Sequence, residues 1–290
     1  MRGLHADATS GAAPVAGEPT KRVLYDRHMP TSPTQKILLS VMSAFTVLGN
    51  PERADMLATL GEVTGREALQ RIHARMCSDP VGTLILVEQP SIRSDQIDIE
   101  YLRSLPKHTF GYAYSQFMDA HGYGQLWSSR IGIIFAHADP FAMFEADGRA
   151  YVQFVDDPEL AYVMRRYREL HDFWHTLFGL PPTVFGEIIL KYVELVQTGL
   201  PVCALSGFVG PLRLTSGIPV SVQCAWRSLH LSCLDESVDE RKRLVNEFIP
   251  WAHRAGANAH FLMNVYYEKE FETPLAELRE RLRIETAPPV

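Results

Sequence analysis

Apolar residues recur along most of this chain at steps of three and four, and proline-led starts punctuate them. After Pro158, for example, Leu160, Ala161, Met164, Tyr167, His171 and His175 fall on one helical face. Ser32-Pro33, Asn50-Pro51, Asp79-Pro80, Asp157-Pro158 and Thr273-Pro274 each set a capping oxygen ahead of a proline at the first helical position. "TGRE" (64–67) reads as a capping box between Thr64 and Glu67. These signals predict helices over 33–48, 51–60, 65–78, 110–121, 158–178, 184–199, 239–255 and 259–271. The segments 130–137 and 218–226 carry some β-branched alternation without hairpin chemistry around them, so a mainly α protein in one domain is expected. Residues 1–22 read as disordered, and 122–150 as a long loop or insertion.

Composition narrows the function. An apolar fraction of 46% and a charged fraction of 21% are those of an ordinary soluble globular chain. A formal charge of −6 without a dense Lys/Arg cluster argues against nucleic acid as a partner. Cys77, Cys203, Cys224 and Cys233 form no CxxC pair, which suggests a reducing compartment with free, mostly buried thiols. The first twenty residues carry only Arg2 as a strong base, beside Asp7 and Glu18, and so make a weak targeting sequence. No apolar run is long enough to predict a membrane-spanning helix. Two shorter runs, "ILLSVMSAFTVLG" (37–49) and "LPVCALSGFVGPLRL" (200–214), fit core helices, or else a surface that meets a bilayer or a lipid tail.

The candidate chemistry lies in "HDFWHTLFGLPPTVFGE" (171–187). His171 and His175, four residues apart on a helix, project from one face and can offer two imidazole nitrogens to one ion. Asp172 lies about 100° round that helix, within reach of the same edge. Gly179 and the following prolines should stop the helix, and Thr183 can cap a second helix running back beside the first. Glu187 then comes close to His175. The ordinary alternative is an Arg168–Asp172 surface ion pair and a solvated row of Glu187, Lys191 and Glu194. The four residues together favour a metal site. Two imidazoles with carboxylates suit Zn²⁺, Fe²⁺ or Mn²⁺, and the spacing is not that of an HExxH peptidase.

The pattern His-Asp-x-x-His, eleven residues, then Glu resembles that of the Coq4 family of ubiquinone (coenzyme Q) biosynthesis. The flanks "FVDDPELAYVMRRYRELHDFWH" and "KYVELVQTGLPVCALSGFVGPLRL" resemble it too, as do "HMPTSPTQKILLSVMSAFTVLGNPERADMLATLGEVTG" and "FIPWAHRAGANAHFLMNVYYEKEFETPLAELRERL". The similarity runs from about residue 24 to 284, with 122–150 and 216–238 as extra loops. It implies an all-α fold over residues 23–290, with a helix-turn-helix metal site and an apolar groove that accommodates lipid. It implies metal ligands at His171, Asp172, His175 and Glu187, with Zn²⁺ foremost. Peripheral attachment to the matrix face of the mitochondrial inner membrane, and partnership with other coenzyme Q proteins in a multiprotein complex, follow from the same resemblance. So does the removal of the C1 carboxylate from a polyprenylated 4-hydroxybenzoate-derived ring, with replacement by hydroxyl.

Within that expectation Arg168 is a candidate contact for an anionic group of the substrate, and Val41 and Phe208 mark candidate prenyl-tail surfaces. Two other readings stand beside the enzyme. One is a polyprenyl-binding assembly factor whose metal is structural. The other is an all-α hydrolase that uses an adjacent His-Asp doublet, for which no downstream partner set is found.

Overall fold

The computed structural model describes residues 22–49, 53–92, 97–120, 151–213 and 239–290. Eleven α-helices occupy them: α1 (Pro33–Gly49), α2 (Ala54–Thr64), α3 (Arg66–Cys77), α4 (Pro80–Glu88), α5 (Ile99–Ser104), α6 (Phe110–Ala120), α7 (Pro158–Phe178), α8 (Val184–Thr198), α9 (Pro201–Arg213), α10 (Ile249–Asn258) and α11 (Leu275–Leu282). Among the described residues there is no strand, and the fold is all-α, as expected; only an isolated bridge joins Thr109 to Pro274. The expected features at 1–21, 122–150 and 216–238, and both weak strand candidates, lie outside the described residues.

Two of the proline starts are capped by the carboxylate that precedes them. Asp79 accepts from the amides of Val81 and Gly82, and Asp157 from those of Glu159 and Leu160, so each satisfies two donors the helix leaves open. Asp157→Ala is expected to cost about 1 kcal/mol, read as a fall of roughly 2–4 °C in melting temperature. The capping box forms elsewhere than at Thr64. Ser32 and Gln35 exchange reciprocal side-chain bonds at the head of α1. Thr64 instead bonds back to the Leu60 carbonyl, because α2 runs on to Thr64 and turns directly into α3. Thr273 likewise caps nothing: its hydroxyl donates to Glu270, and α11 begins after Pro274.

α7 is the central element. Its side chains are buried almost all the way round, from Leu160 to Phe178, and it packs against α3, α4 and α6. α8 packs on its other flanks against α9 and α10. Gly179 and Gly199 end α7 and α8 in the left-handed conformation, and Thr183 caps α8 through the Gly186 amide. The C-terminal region closes over the end of α7. Arg279 of α11 donates to the carbonyls of Thr176 and Leu177, two of those a helix end leaves unpaired, and the Ala287 amide donates to that of Phe178.

Two expectations fail here. No helix spans 259–271. The backbone is extended at Ala259, Phe261 and Val265, with the His260 amide bonded to the Leu282 carbonyl and the Leu262 amide to the buried Gln197 side chain, and only 3₁₀ turns at Leu262–Asn264 and Tyr267–Lys269 remain. The helix expected at 239–255 exists but carries a π turn at Leu244–Phe248, next to Pro250, which has no amide hydrogen to donate.

Candidate metal centre

α7 and α8 form an antiparallel hairpin, and the site lies between them. His171 and His175 stand one turn apart on α7; Glu187, in the first turn of α8, reaches both. His171 Nε2 lies 3.1 Å from one Glu187 oxygen, His175 Nε2 lies 3.0 Å from the other, and the two Nε2 atoms are 3.2 Å apart. Among the described residues these three alone form a group able to hold a metal ion. Donors around a tetrahedral ion at metal–nitrogen bonds near 2.0 Å sit about 3.3 Å from one another, so the spacing is close to that of a loaded site.

The protons support the fit. His175 Nδ1 lies 3.1 Å from the Leu180 carbonyl, which can only accept, so the proton is on Nδ1 and the Nε2 lone pair faces the centre. His171 Nδ1 lies 2.6 Å from a Glu194 oxygen, which accepts in the same way. With both rings neutral, two lone pairs and a carboxylate would converge with no hydrogen among them, an arrangement that calls for a cation. Burial and Lys191 pull His171 down, but Glu187 and Glu194 outweigh both and raise it to about 9. At neutral pH a proton on His171 meets the demand. Burial opposes the charge of Glu187, yet His175 and His171 hold its carboxyl well below the usual range.

Behind His171 lies a second group of polar side chains, buried except for the half-buried Lys191. One Glu194 oxygen accepts from Lys191 Nζ at 2.7 Å and from the Tyr167 hydroxyl, with Cys203 Sγ at 3.5 Å. Burial works against the Glu194 charge too, but Lys191 and His171 bring its carboxyl down to about 2, while burial and Glu194 push the Cys203 thiol up to about 12. The three-residue centre opens outward at its His171 edge: that side chain keeps 20% of its exposure against 9% for Glu187 and none for His175. Phe117 of α6 stacks on His175, ring centres 5.5 Å apart.

The structure thus brings together three of the four expected ligands. Asp172 is buried beside them but outside the converging group. Arg168 does not form the expected pair with Asp172. It is committed to α2, donating to Glu62 at 2.9 Å and to the Ala58 carbonyl, and to the Tyr151 carbonyl beyond. Glu194 and Lys191 belong to the site and not to a solvated row. Their spacing from Glu187, at four and seven residues, matches that of Tyr167, His171 and His175 on the facing helix, a complementarity open to sequence reading. Val41 is exposed on α1, and the side chain of Phe208 lies outside the described residues. Of the cysteines, Cys203 is buried as expected, whereas Cys77 is exposed.

Comparison with known proteins gives one consistent picture. The model of the family described as "Coenzyme Q (ubiquinone) biosynthesis protein Coq4" matches residues 25–131, 131–218 and 217–288. The chain is 42% identical over 286 residues to the mitochondrial ubiquinone biosynthesis protein COQ4 homolog of Bos taurus, covering 97% of this chain and 91% of that protein. It is also 42% identical to the homolog of Homo sapiens, covering 92% of this chain and 84% of that one, and 42% identical to that of Nematostella vectensis, covering 83% and 96%. A crystal structure of a protein named for ubiquinone biosynthesis from Nostoc punctiforme shares the fold, with TM-score 0.56 and 17% identity over 87% of this chain and 98% of that one. With its His-Asp-x-x-His helix, its facing glutamate and matches along nearly its whole length, this chain belongs to the Coq4 family of ubiquinone biosynthesis.

Proposed function

We propose that the chain is a metal-dependent decarboxylase of coenzyme Q formation. It removes the C1 carboxylate of a polyprenylated 4-hydroxybenzoate-derived ring, with replacement by hydroxyl. The observation that carries this reading is the convergence of His171, His175 and Glu187 with both imidazole Nε2 atoms turned inward. These three would hold a divalent ion, Zn²⁺ foremost and Fe²⁺ or Mn²⁺ with the same donors; the family pattern adds Asp172. When bound, the ion supplies Lewis-acid stabilisation of the charge that develops as CO₂ leaves.

The chain's own residues set the conditions for that step. Glu187, Glu194 and Lys191 carry one net negative charge, which the proton on His171 balances in the unloaded site; a divalent ion in place of that proton leaves one net positive charge, suited to a carboxylate or phenolate. His171, at the open edge, faces the side from which such an anion arrives. The buried His175 and Glu194, with Phe117 stacked on the His175 ring, wall off the other side. Because hydroxyl replaces carboxyl, the ring carbon is oxidised. Dioxygen is the oxidant, and with one water consumed the products are the phenol, CO₂ and hydrogen peroxide.

The α1 face supports placement at a membrane. Ile37, Leu38, Val41, Met42, Phe45 and Leu48 are all exposed, and they gather on one side of the helix. Among the described residues no helix is long and apolar enough to cross a bilayer, and the relatives' names place them in mitochondria. Peripheral attachment to the matrix face of the inner membrane, with a prenyl tail lying along this surface and other coenzyme Q proteins as neighbours, is the arrangement we infer. Val41 keeps 47% of its exposure, so Val41→Glu should leave the fold intact. Retention on liposomes should weaken by about tenfold or more, and a stable variant that floats with vesicles like the parent refutes the surface.

The same apolar face favours a second reading, a polyprenyl-holding assembly factor with a structural ion. One experiment separates the two. The purified chain, loaded with each candidate ion, is given a prenylated 4-hydroxybenzoate with and without dioxygen while CO₂ is followed. Ion-dependent CO₂ release supports the enzyme. A loaded, fully folded chain that releases none in any arm leaves the assembly factor.

A further inference from the structure

We propose that Glu194 is the positioning carboxylate of the ion site: through Nδ1 it fixes the tautomer and direction of His171, so that Nε2 is presented to a divalent ion. The inference rests on the metal-dependent reading above. Glu194 is wholly buried, and each of its neighbours is a potential donor aimed at it. His171 Nδ1 lies 2.6 Å from one oxygen; Lys191 Nζ, at 2.7 Å, and the Tyr167 hydroxyl share the other, with the Cys203 thiol at 3.5 Å. Those donors come from α7, α8 and α9. Donors engage both oxygens of this carboxylate, which holds it in its orientation toward His171.

The consequence is an asymmetry between the two imidazoles. His175 donates its Nδ1 proton to a neutral carbonyl, that of Leu180; His171 donates to a full negative charge. An imidazole hydrogen-bonded to a carboxylate is the more basic ligand, and the partner holds its ring in the plane the metal needs. Lys191 lies 3.4 Å from the same Nδ1 and neutralises Glu194 without taking it from His171. The competing account is that Glu194 exists only to pair with Lys191, three residues before it on α8.

The test uses the full chain, with Zn²⁺ affinity measured against a competing chelator and the visible spectrum recorded after Co²⁺ loading. Glu194→Gln and the double variant Glu194→Gln/Lys191→Met are compared with the parent; the double variant leaves no buried charge unpaired and guards against a failure to fold. Both variants are expected to lose about 10–100-fold in affinity and to show an altered cobalt spectrum. Parental affinity in the double variant overturns the proposal, since Glu194 would then serve Lys191 alone. Nitrogen NMR of the zinc-loaded parent decides independently of any variant: a His171 proton on Nδ1 is expected, and one on Nε2 overturns it. A loaded parent that releases no CO₂ overturns the decarboxylation and leaves this assignment standing. A parent that takes up neither ion overturns both.

Discussion

His175→Ala is expected to strip the chain of its divalent ion while leaving it helical. His175 is fully buried, its Nδ1 bond to Leu180 aims the ring, and its Nε2 is one of only three donors that converge among the described residues. A site that loses one of three protein donors keeps too little of its binding energy to compete with water. Metal content should fall from about one ion per chain to near none, and ion-dependent CO₂ release should vanish with it. The cavity left by the ring adds a loss of stability of about 1–3 kcal/mol, which circular dichroism and a thermal melt would register without loss of helix. Unchanged stoichiometry in this variant and in His171→Ala would remove the site as drawn.

Glu268→Ala should unfold the chain more readily than any change in the metal centre. Arg166 of α7 has no exposed side-chain surface, and its guanidinium is held by both oxygens of Glu268, one at 2.9 Å from Nη2. Removing Glu268 leaves a buried cation whose remaining hydrogen bond is to the Val265 carbonyl at 3.4 Å. Breaking such a pair from one side costs about 3–5 kcal/mol, far more than the pair itself contributes, because the survivor has lost its water and its partner. The melting temperature should fall by roughly 10 °C or more. Arg166→Met combined with Glu268→Ala should recover most of that loss; a double variant as unstable as the single one would show that the guanidinium charge is not the cause.

Where local chemistry decides, the sequence was enough. The stop at Gly179, the cap at Thr183 and the four-residue step from His171 to His175 depend on nearest neighbours and on helix geometry, and all three stand in the structure. Reading failed where distant partners take over a backbone group. The segment 259–271 has helical composition, but its backbone is extended at Ala259, Phe261 and Val265 and tied to Gln197 and Leu282, and neither is near in sequence. Arg168 failed for the same reason: Asp172 is four residues away, yet Glu62, over a hundred residues distant, holds the guanidinium. Glu194 shows the limit most clearly. A glutamate seven residues after Glu187 on an amphipathic helix is as consistent with a wet surface as with a buried site, and only the facing stripe of Tyr167 and His171 distinguishes them.

The closure of α7 by Arg279 and Ala287 has a consequence for how the protein is made. The hairpin that carries His171, His175 and Glu187 is complete in the nascent chain once Thr198 has been added, but the cation that satisfies its open carbonyls arrives only with residue 279. At ordinary rates of translation, about 5–20 residues per second, that interval is roughly 4–16 s. During it the turn bearing His175 has unpaired carbonyls and no lid. The helices that hold the ligands are thus local to residues 158–198, while the closing of their end depends on the last helix.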